Sequence, residues 1–295
     1  MNLISCAIAC LVGLASAADE ADRVMSLPNG TSSIEMTSPT YSGYLNVTET
    51  KMLHYIYVES MDSPSFDPLV IWFNGGPGCS SMLGFMQEHG PWIIDDGEDY
   101  VKPNPFSWNR RANMLYIESP AGVGFSIAGN ETSDWTQNDM TQSEDAKVAL
   151  MNWFEKFPER LDNDLYISGE SYGGIYVPYL SWQLYQHNIE ADIDSTITPI
   201  NLKGFLVGNG ATDWDFDVSP SFPETVYNFN LISKATLDDY MNNYCVVYFN
   251  DFRPRNGTDM EVCNKTWDKI NNMTGDLNWY DLYRPVYPGG PLAML

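Results

Sequence analysis

Basic residues are scarce in this chain. Lysine and arginine together number 15 among 295 residues, against 39 aspartates and glutamates, and the formal net charge is −24. The basic residues form no cluster. That argues against nucleic acid and anionic membrane surfaces as partners, since both are held by basic patches. Histidine is scarcer still, with three in all. Any chemistry that needs an imidazole must therefore look to His54, His89 or His187. Cysteines number five. Cys79, Cys245 and Cys263 lack the spacing of a metal site, so no metal and no cofactor are expected. Residues 3–15 are apolar over ~13 positions, short of the roughly 20 that span a bilayer, and no later segment does better. There is no internal repeat and no long low-complexity tract.

What is present reads as a secreted globular protein. The hydrophobic fraction of 44% and the aromatic fraction of 14% belong to chains that build a core. The length accommodates one large domain or two medium ones. Residues 1–17, with the apolar run followed by Ala15-Ser16-Ala17, have the form of a secretory signal with an A-x-A cleavage site, although no basic residue precedes the run. N-x-[ST] acceptor sites begin at Asn29, Asn46, Asn130, Asn256, Asn264 and Asn272, as in a glycoprotein. Cys6 and Cys10 would leave with the signal. Of the rest, Cys245 and Cys263 are near enough to close a small loop, which leaves Cys79 alone. The acidic balance suits an acidic compartment or ordinary solubility equally.

Short apolar runs alternate with helical periodicity. Residues 41–47 and 51–59 form two expected strands. Further strands are expected at 68–73, 114–117, 164–168 and 202–207, the last as a buried strand. Residues 144–157 and 172–187 carry helical spacing. Buried strands alternating with helices indicate a mostly parallel sheet flanked by helices, an α/β fold. After Gly210 the texture becomes polar and helical. The expected division is a core over residues 18–211 and a helical cap insertion over 212–295.

Two motifs carry chemistry. Gly169-Glu170-Ser171-Tyr172-Gly173 lies between an expected strand and an expected helix. In that setting a G-x-S-x-G serine sits on a tight turn with its hydroxyl exposed above the sheet. Trp72-Phe73-Asn74-Gly75-Gly76-Pro77-Gly78-Cys79-Ser80-Ser81 is a glycine-rich loop after a strand, where such folds place one oxyanion-hole N–H. The second N–H belongs to the residue after the nucleophile, Tyr172. A phosphate-binding loop and a plain turn are the competing readings, and the lack of G-K-[ST] argues against the first. Glu88 and Glu170 are candidate pocket acids. If both line one pocket, at least one stays protonated at mildly acid pH and can donate to a substrate carboxylate, with Asn74 adding an amide N–H. By spacing alone, Glu88 reads as a solvated surface residue.

With these blocks, and with Tyr41-Ser42-Gly43-Tyr44, Phe106-Ser107-Trp108-Asn109, the run Glu118 to Ser126 and Gly208-Asn209-Gly210, the chain resembles the serine carboxypeptidases. These are α/β-hydrolase peptidases of lysosome and vacuole that act at acid pH. The resemblance implies Ser171 as nucleophile and the Gly76 and Tyr172 N–H groups as oxyanion donors. It implies that Asn74, Gly75, Glu88 and Glu170 hold the C-terminal carboxylate of a peptide or protein, with Trp72 buttressing them. It also implies that Cys79 pairs with a cysteine of the later cap, which residues 1–295 do not supply.

In that family the triad acid and histidine follow the cap, the histidine in a Gly-x-x-His segment. None of the three histidines here matches. His54 lies in an early strand, His187 lies about four turns along the helix from Ser171, and His89 is the one tempting substitute. The expectation is an incomplete form, its last sheet strands missing and its activity lost or weak. A non-catalytic secreted glycoprotein that binds peptide C-termini, and an acyltransferase of the same family, are the alternatives. The secretory pathway, ending in lysosome, vacuole or outside the cell, is the expected location.

Overall fold

A computed structural model describes residues 20–29, 32–95, 98, 100–248, 251–252, 257–278 and 280–286. The expected signal at residues 1–17 and the acceptor site at Asn256 lie outside the described residues, as does the Asn29 side chain. The chain divides into two compact units at Gly210/Ala211.

Among the described residues the first unit is built on a seven-stranded sheet. Its strands are β1 (Arg23–Asn29), β2 (Ser32–Asn46), β3 (Met52–Val58), β4 (Leu69–Phe73), β5 (Asn113–Ile117), β6 (Leu165–Glu170) and β7 (Leu202–Gly208). Their spatial order is β1-β2-β3-β5-β4-β6-β7. The first three join antiparallel, and β5, β4, β6 and β7 run parallel. Every residue of β4 and β5 is buried, because strands covered on both faces are apolar without alternation. In β3 both sides of the expected alternation are covered. Tyr57 packs edge-on against Trp153 at 5.0 Å between ring centroids, while Ile56 and Val58 join Val70, Trp72, Phe85, Met114 and Tyr116 on the other face.

Helices α1 (Asp139–Lys156) and α2 (Gly173–Ile193) follow β5 and β6. The Asn138 side chain accepts from the Met140 and Thr141 N–H groups and fixes the start of α1.

β7 departs from the expectation of a buried strand. It is the last strand of the sheet among the described residues, and Phe205 and Leu206 remain 55% and 50% exposed. A run of apolar residues reports a strand but not how many neighbours cover it.

The second unit holds α3 (Ser221–Asn228), α4 (Lys234–Asn242) and α5 (Met260–Thr274) around Val226, Ile232, Leu237, Tyr240 and Ile270. Cys245 and Cys263 form a disulfide inside this cluster. The bridge spans 18 residues of chain, and a loop of that size is worth about 3 kcal/mol on the chain-entropy account. Reduction, or Cys263→Ser, should therefore lower the unfolding free energy of this unit by about that amount. Urea titration followed by circular dichroism, with and without reductant, measures it. Asn46, Asn130, Asn264 and Asn272 are solvent-exposed, as a glycan acceptor must be.

Candidate active site

The site forms where two neighbouring parallel strands end. β4 and β6 are paired through Phe73 and Gly169. Each then runs off its carboxyl end into a loop, β4 into residues 74–81 and β6 into Ser171. In parallel α/β sheets the crevice outside these strand ends is where ligands bind.

Ser171 is exposed, with φ 55°. A left-handed serine is strained, and the surrounding structure must hold it there. The Ser171 N–H donates to Gly208 O at 3.0 Å, and the Ser171 carbonyl accepts from Gly174 N–H at 2.9 Å. Gly169 permits the close approach this turn needs, because a Cβ there would stand 2.6 Å from Phe73 O. At Gly173 the nearest such atom is at 3.6 Å, an ordinary contact, so Gly169 is the glycine that sterics demand.

The glycine-rich loop presses against this turn. A Cβ on Gly75 would lie 2.4 Å from the Tyr172 nitrogen and 2.7 Å from both Glu170 O and Ser171 Cβ. No residue but glycine fits. Gly76 follows at φ 107°. Its N–H donates to no group among the described residues. The loop is tied down on both sides. Gly78 N–H donates to the Tyr176 hydroxyl at 3.3 Å, and Ser81 Oγ donates to Ile117 O at 2.7 Å. The Tyr172 hydroxyl donates to Asp139 Oδ1 at 2.9 Å, fixing the residue next to the serine.

Beside the serine stand the two acids. Asn74 is buried, and its Nδ2 donates to Glu170 Oε1 at 2.8 Å and to Glu88 Oε1 at 3.1 Å. Its Oδ1 accepts from Trp72 Nε1 and from Gly84 N–H, each at 2.9 Å. One amide thus orders two carboxyls, an indole and a helix start. Glu88 reaches it from a π-helical turn, Gly84–Glu88, a conformation often found at functional sites. Gly84 is also obligatory, since a Cβ there would meet Trp72 Nε1 at 2.3 Å.

Burial pushes the Glu88 carboxyl above its ordinary range. The Asn74 hydrogen bond opposes this, and the Glu170 charge adds to the rise. A carboxyl raised on folding stabilises the fold fully below the unfolded pKa, and that contribution is lost as pH rises through the folded one. Glu88→Gln, which mimics the protonated acid, should match the parent melting temperature near pH ~3 and exceed it near pH ~7. Melting curves across that range check the sign.

The histidines are placed elsewhere. His89 stacks on Trp108 at 4.1 Å between centroids, meets Trp72 edge-on at 4.3 Å, and pairs through Nδ1 with the Tyr116 hydroxyl at 3.1 Å. Burial pushes its pKa down to about 4. It supports Trp72 from behind and is not brought to Ser171, so it is no substitute base. His187 bonds Thr198 O at 2.9 Å, and His54 lies between Ser42 and Glu118. Among the described residues no side chain is hydrogen-bonded to Ser171 Oγ. Cys79, on the glycine-rich loop, is a free and exposed thiol whose pKa is raised, first by burial and then by Glu170. Among the described residues no group of three or more His, Cys, Asp or Glu could hold a metal, and no helix is long and apolar enough to cross a membrane.

Nothing local in the sequence marks Gly84, Tyr176 and Asp139 as part of the site. A helix with Tyr176 one turn past the serine is legible, but its hydroxyl's bond to a loop nearly a hundred residues away in sequence is not.

The chain is similar to known proteins over most of its length. A family model described as serine carboxypeptidase matches residues 28–293. Serine carboxypeptidase-like 20 of Arabidopsis thaliana is 36% identical over 289 residues, covering 95% of this chain and 55% of that protein. Serine carboxypeptidase 1 of Hordeum vulgare is 38% identical over 260 residues, covering 85% and 49%. The lysosomal protective protein of Mus musculus is 37% identical over 253 residues, covering 85% and 50%. A solved structure, a prohormone-processing carboxypeptidase from Saccharomyces cerevisiae, superposes with a TM-score of 0.65 at 24% identity, covering 82% of this chain and 54% of that one. That likeness shows the fold, an α/β-hydrolase. The chain spans about half the length of the curated relatives it matches.

Proposed function

The chain belongs to the serine carboxypeptidase family, and from that premise we propose that it represents a serine-type carboxypeptidase acting through an acyl-enzyme on Ser171 at acid pH. The observation that carries this reading is the Asn74 amide bridging Glu88 and Glu170 beside a strained, exposed serine. A peptide's terminal carboxylate would meet Asn74, the Gly75 backbone and a proton shared by the two glutamates, with Trp72 holding Asn74 in place. The carbonyl of the last peptide bond would then face Ser171. Its developing oxyanion would be stabilised by the Gly76 and Tyr172 N–H groups, a contribution worth about 10²–10³ in rate per donor. Acid pH suits the arrangement, because a protonated Glu88 donates where an ionised one repels.

The base is not His54, His89 or His187. We propose that it and its orienting acid lie outside residues 1–295, and that these residues form an incomplete version of the enzyme holding the nucleophile and the substrate anchor. Residues 212–295 would serve as the cap. The acceptor sites and the lysosomal relative support a glycosylated protein of the secretory route, ending in lysosome, vacuole or outside the cell.

The test is release of C-terminal residues from an N-terminally blocked peptide at about pH 5 by a protein that carries these residues together with the proposed base segment, with the C-terminally amidated peptide as control, since a protonated acid is needed to receive a free carboxylate. Stepwise release from the free acid alone supports the reading. Binding of the free acid without release favours a non-catalytic binder of peptide ends, the reading supported by an assembled anchor with no side chain bonded to Ser171 Oγ among the described residues. Equal treatment of acid and amide sinks both.

A further inference from the structure

A second serine stands in a complete relay. Ser42 Oγ pairs with His54 Nε2 at 2.8 Å, and His54 Nδ1 pairs with Glu118 Oε2 at 2.9 Å. Three elements supply them: β2, β3 and the segment after β5. The β2–β3 register sets Ser42 opposite Ile56 and Tyr44 opposite His54. Ser42 and His54 are therefore diagonal neighbours on one face of the sheet, close enough for side chains to meet.

The polarity of the relay follows from its acid. The Glu118 side chain is 1% exposed, and it also accepts from Ser80 Oγ and from the Phe125 N–H. Burial alone would raise its pKa. The hydrogen bonds from His54, Ser80 and Phe125, with the His54 charge, outweigh burial and hold it below the usual carboxylate range. An ionised carboxylate only accepts, so Nδ1 carries the hydrogen. In the neutral ring Nε2 is then the acceptor, and the Ser42 hydroxyl donates to it. That is the arrangement in which a histidine takes a serine proton.

The relay also opens to solvent. Ser42 is half-buried, and the His54 ring is flanked by two exposed aromatics, Tyr44 at 5.6 Å and Phe125 at 5.3 Å between centroids. Tyr44 is 42% exposed and Phe125 64%. Together they give the imidazole exposed apolar flanks.

We propose that Ser42, His54 and Glu118 form a second acyl-transfer site, separate from Ser171, which accepts activated esters with an apolar acyl group. Ser42 Oγ attacks the carbonyl carbon while its proton passes to His54 Nε2. The tetrahedral adduct collapses, the bond to the leaving oxygen breaks, and Nε2 returns its proton to that oxygen. Acyl-Ser42 is then hydrolysed by water, with His54 again the base, releasing the acid and restoring the hydroxyl. Glu118 touches no substrate; it holds the tautomer and stabilises the imidazolium. The serine stands in a strand beside solvent, so water carries much of the oxyanion charge. The site is therefore suited to good leaving groups such as phenols, and not to amides.

The experiment uses the full chain carrying Ser171→Ala, with a fluorophosphonate as the labelling probe and p-nitrophenyl butyrate as the substrate. Tandem mass spectrometry should place the phosphonyl adduct on Ser42. Adding Ser42→Ala or His54→Gln should lower p-nitrophenol release by about 10²-fold, the usual share of a positioned base. Mapping is done with Ser42 intact, so a double variant that fails to fold does not decide the outcome. Absence of adduct at Ser42, in protein whose melting curve matches the parent, would overturn the proposal. Adduct at Ser171 in the parent tests the carboxypeptidase reading instead, and the two sites can succeed or fail independently.

Discussion

Ser171→Gly should raise the stability of the protein while removing the acyl-enzyme chemistry proposed for it. Ser171 sits at φ 55°, and a left-handed conformation costs a non-glycine residue about 1–2 kcal/mol. Glycine relieves that strain but loses roughly 0.4–1 kcal/mol to the greater freedom of the unfolded chain. The expected net gain is about 0.5–1 kcal/mol, or about 1–2 °C in melting temperature for a chain of this size. Phosphonylation at this position should disappear, and any peptidase turnover should fall by several orders of magnitude, since nucleophile and base act as a unit. Thermal melts and fluorophosphonate labelling measure the two effects. A drop in stability would show that the Ser171 backbone is not the strained element, and undiminished peptide cleavage would remove Ser171 as nucleophile. The opposite signs on stability and chemistry are what strain stored at a functional site predicts.

Asn74→Leu should be the most damaging single change in the anchor. The substitution leaves the Trp72 indole N–H and the Gly84 N–H without their acceptor. Both bond to a side chain that is 2% exposed. An unmade hydrogen bond at a buried donor costs about 1–3 kcal/mol, so the pair together should cost about 3 kcal/mol. Glu88 and Glu170 lose their common donor at the same time. The Asn74 hydrogen bond holds the Glu88 pKa down, so without it the Glu88 carboxyl moves further up. Affinity for a peptide with a free C-terminus should fall at least about tenfold, the loss of roughly one charge-assisted hydrogen bond. Asn74→Asp separates the two roles. It retains an acceptor for Trp72 and Gly84 but places a third carboxylate beside two others. Its stability should lie nearer the parent at low pH, with binding lost at neutral pH. Denaturant titration and fluorescence polarisation with a labelled peptide read the two quantities. Equal stability of the Leu variant and the parent would mean that Asn74 does not hold Trp72 and Gly84.

Much of this site is legible in the order of residues. Ser171 is marked by its spacing between a strand and a helix, and the loop after β4 by its glycines. Both are local signals, because turns that need small residues leave them in adjacent positions. Glu88 shows where local signals end. By spacing it reads as a surface glutamate, yet a π-helical turn brings it to Asn74, fourteen residues earlier in sequence. Its neighbour His89 resembles a substitute base for the same reason, adjacency to a site residue. At the end of that turn the two side chains diverge, Glu88 toward Asn74 and His89 into the Trp72, Trp108 and Tyr116 rings. The relay of Ser42, His54 and Glu118 leaves no sequence pattern, since its members stand 12 and 64 residues apart.

By itself the sequence determined the family, the alternation of strands and helices, the Ser171 turn, the glycine loop that faces it and the Cys245–Cys263 bridge. These are properties of short stretches whose backbone demands limit which residues fit. The tertiary structure alone decided which two acids meet at Asn74, which histidines are spent on packing or pairing, and that β7 is the last strand of the sheet among the described residues. Those outcomes depend on distance and desolvation between segments far apart in the chain, and neither quantity is written in the order of residues.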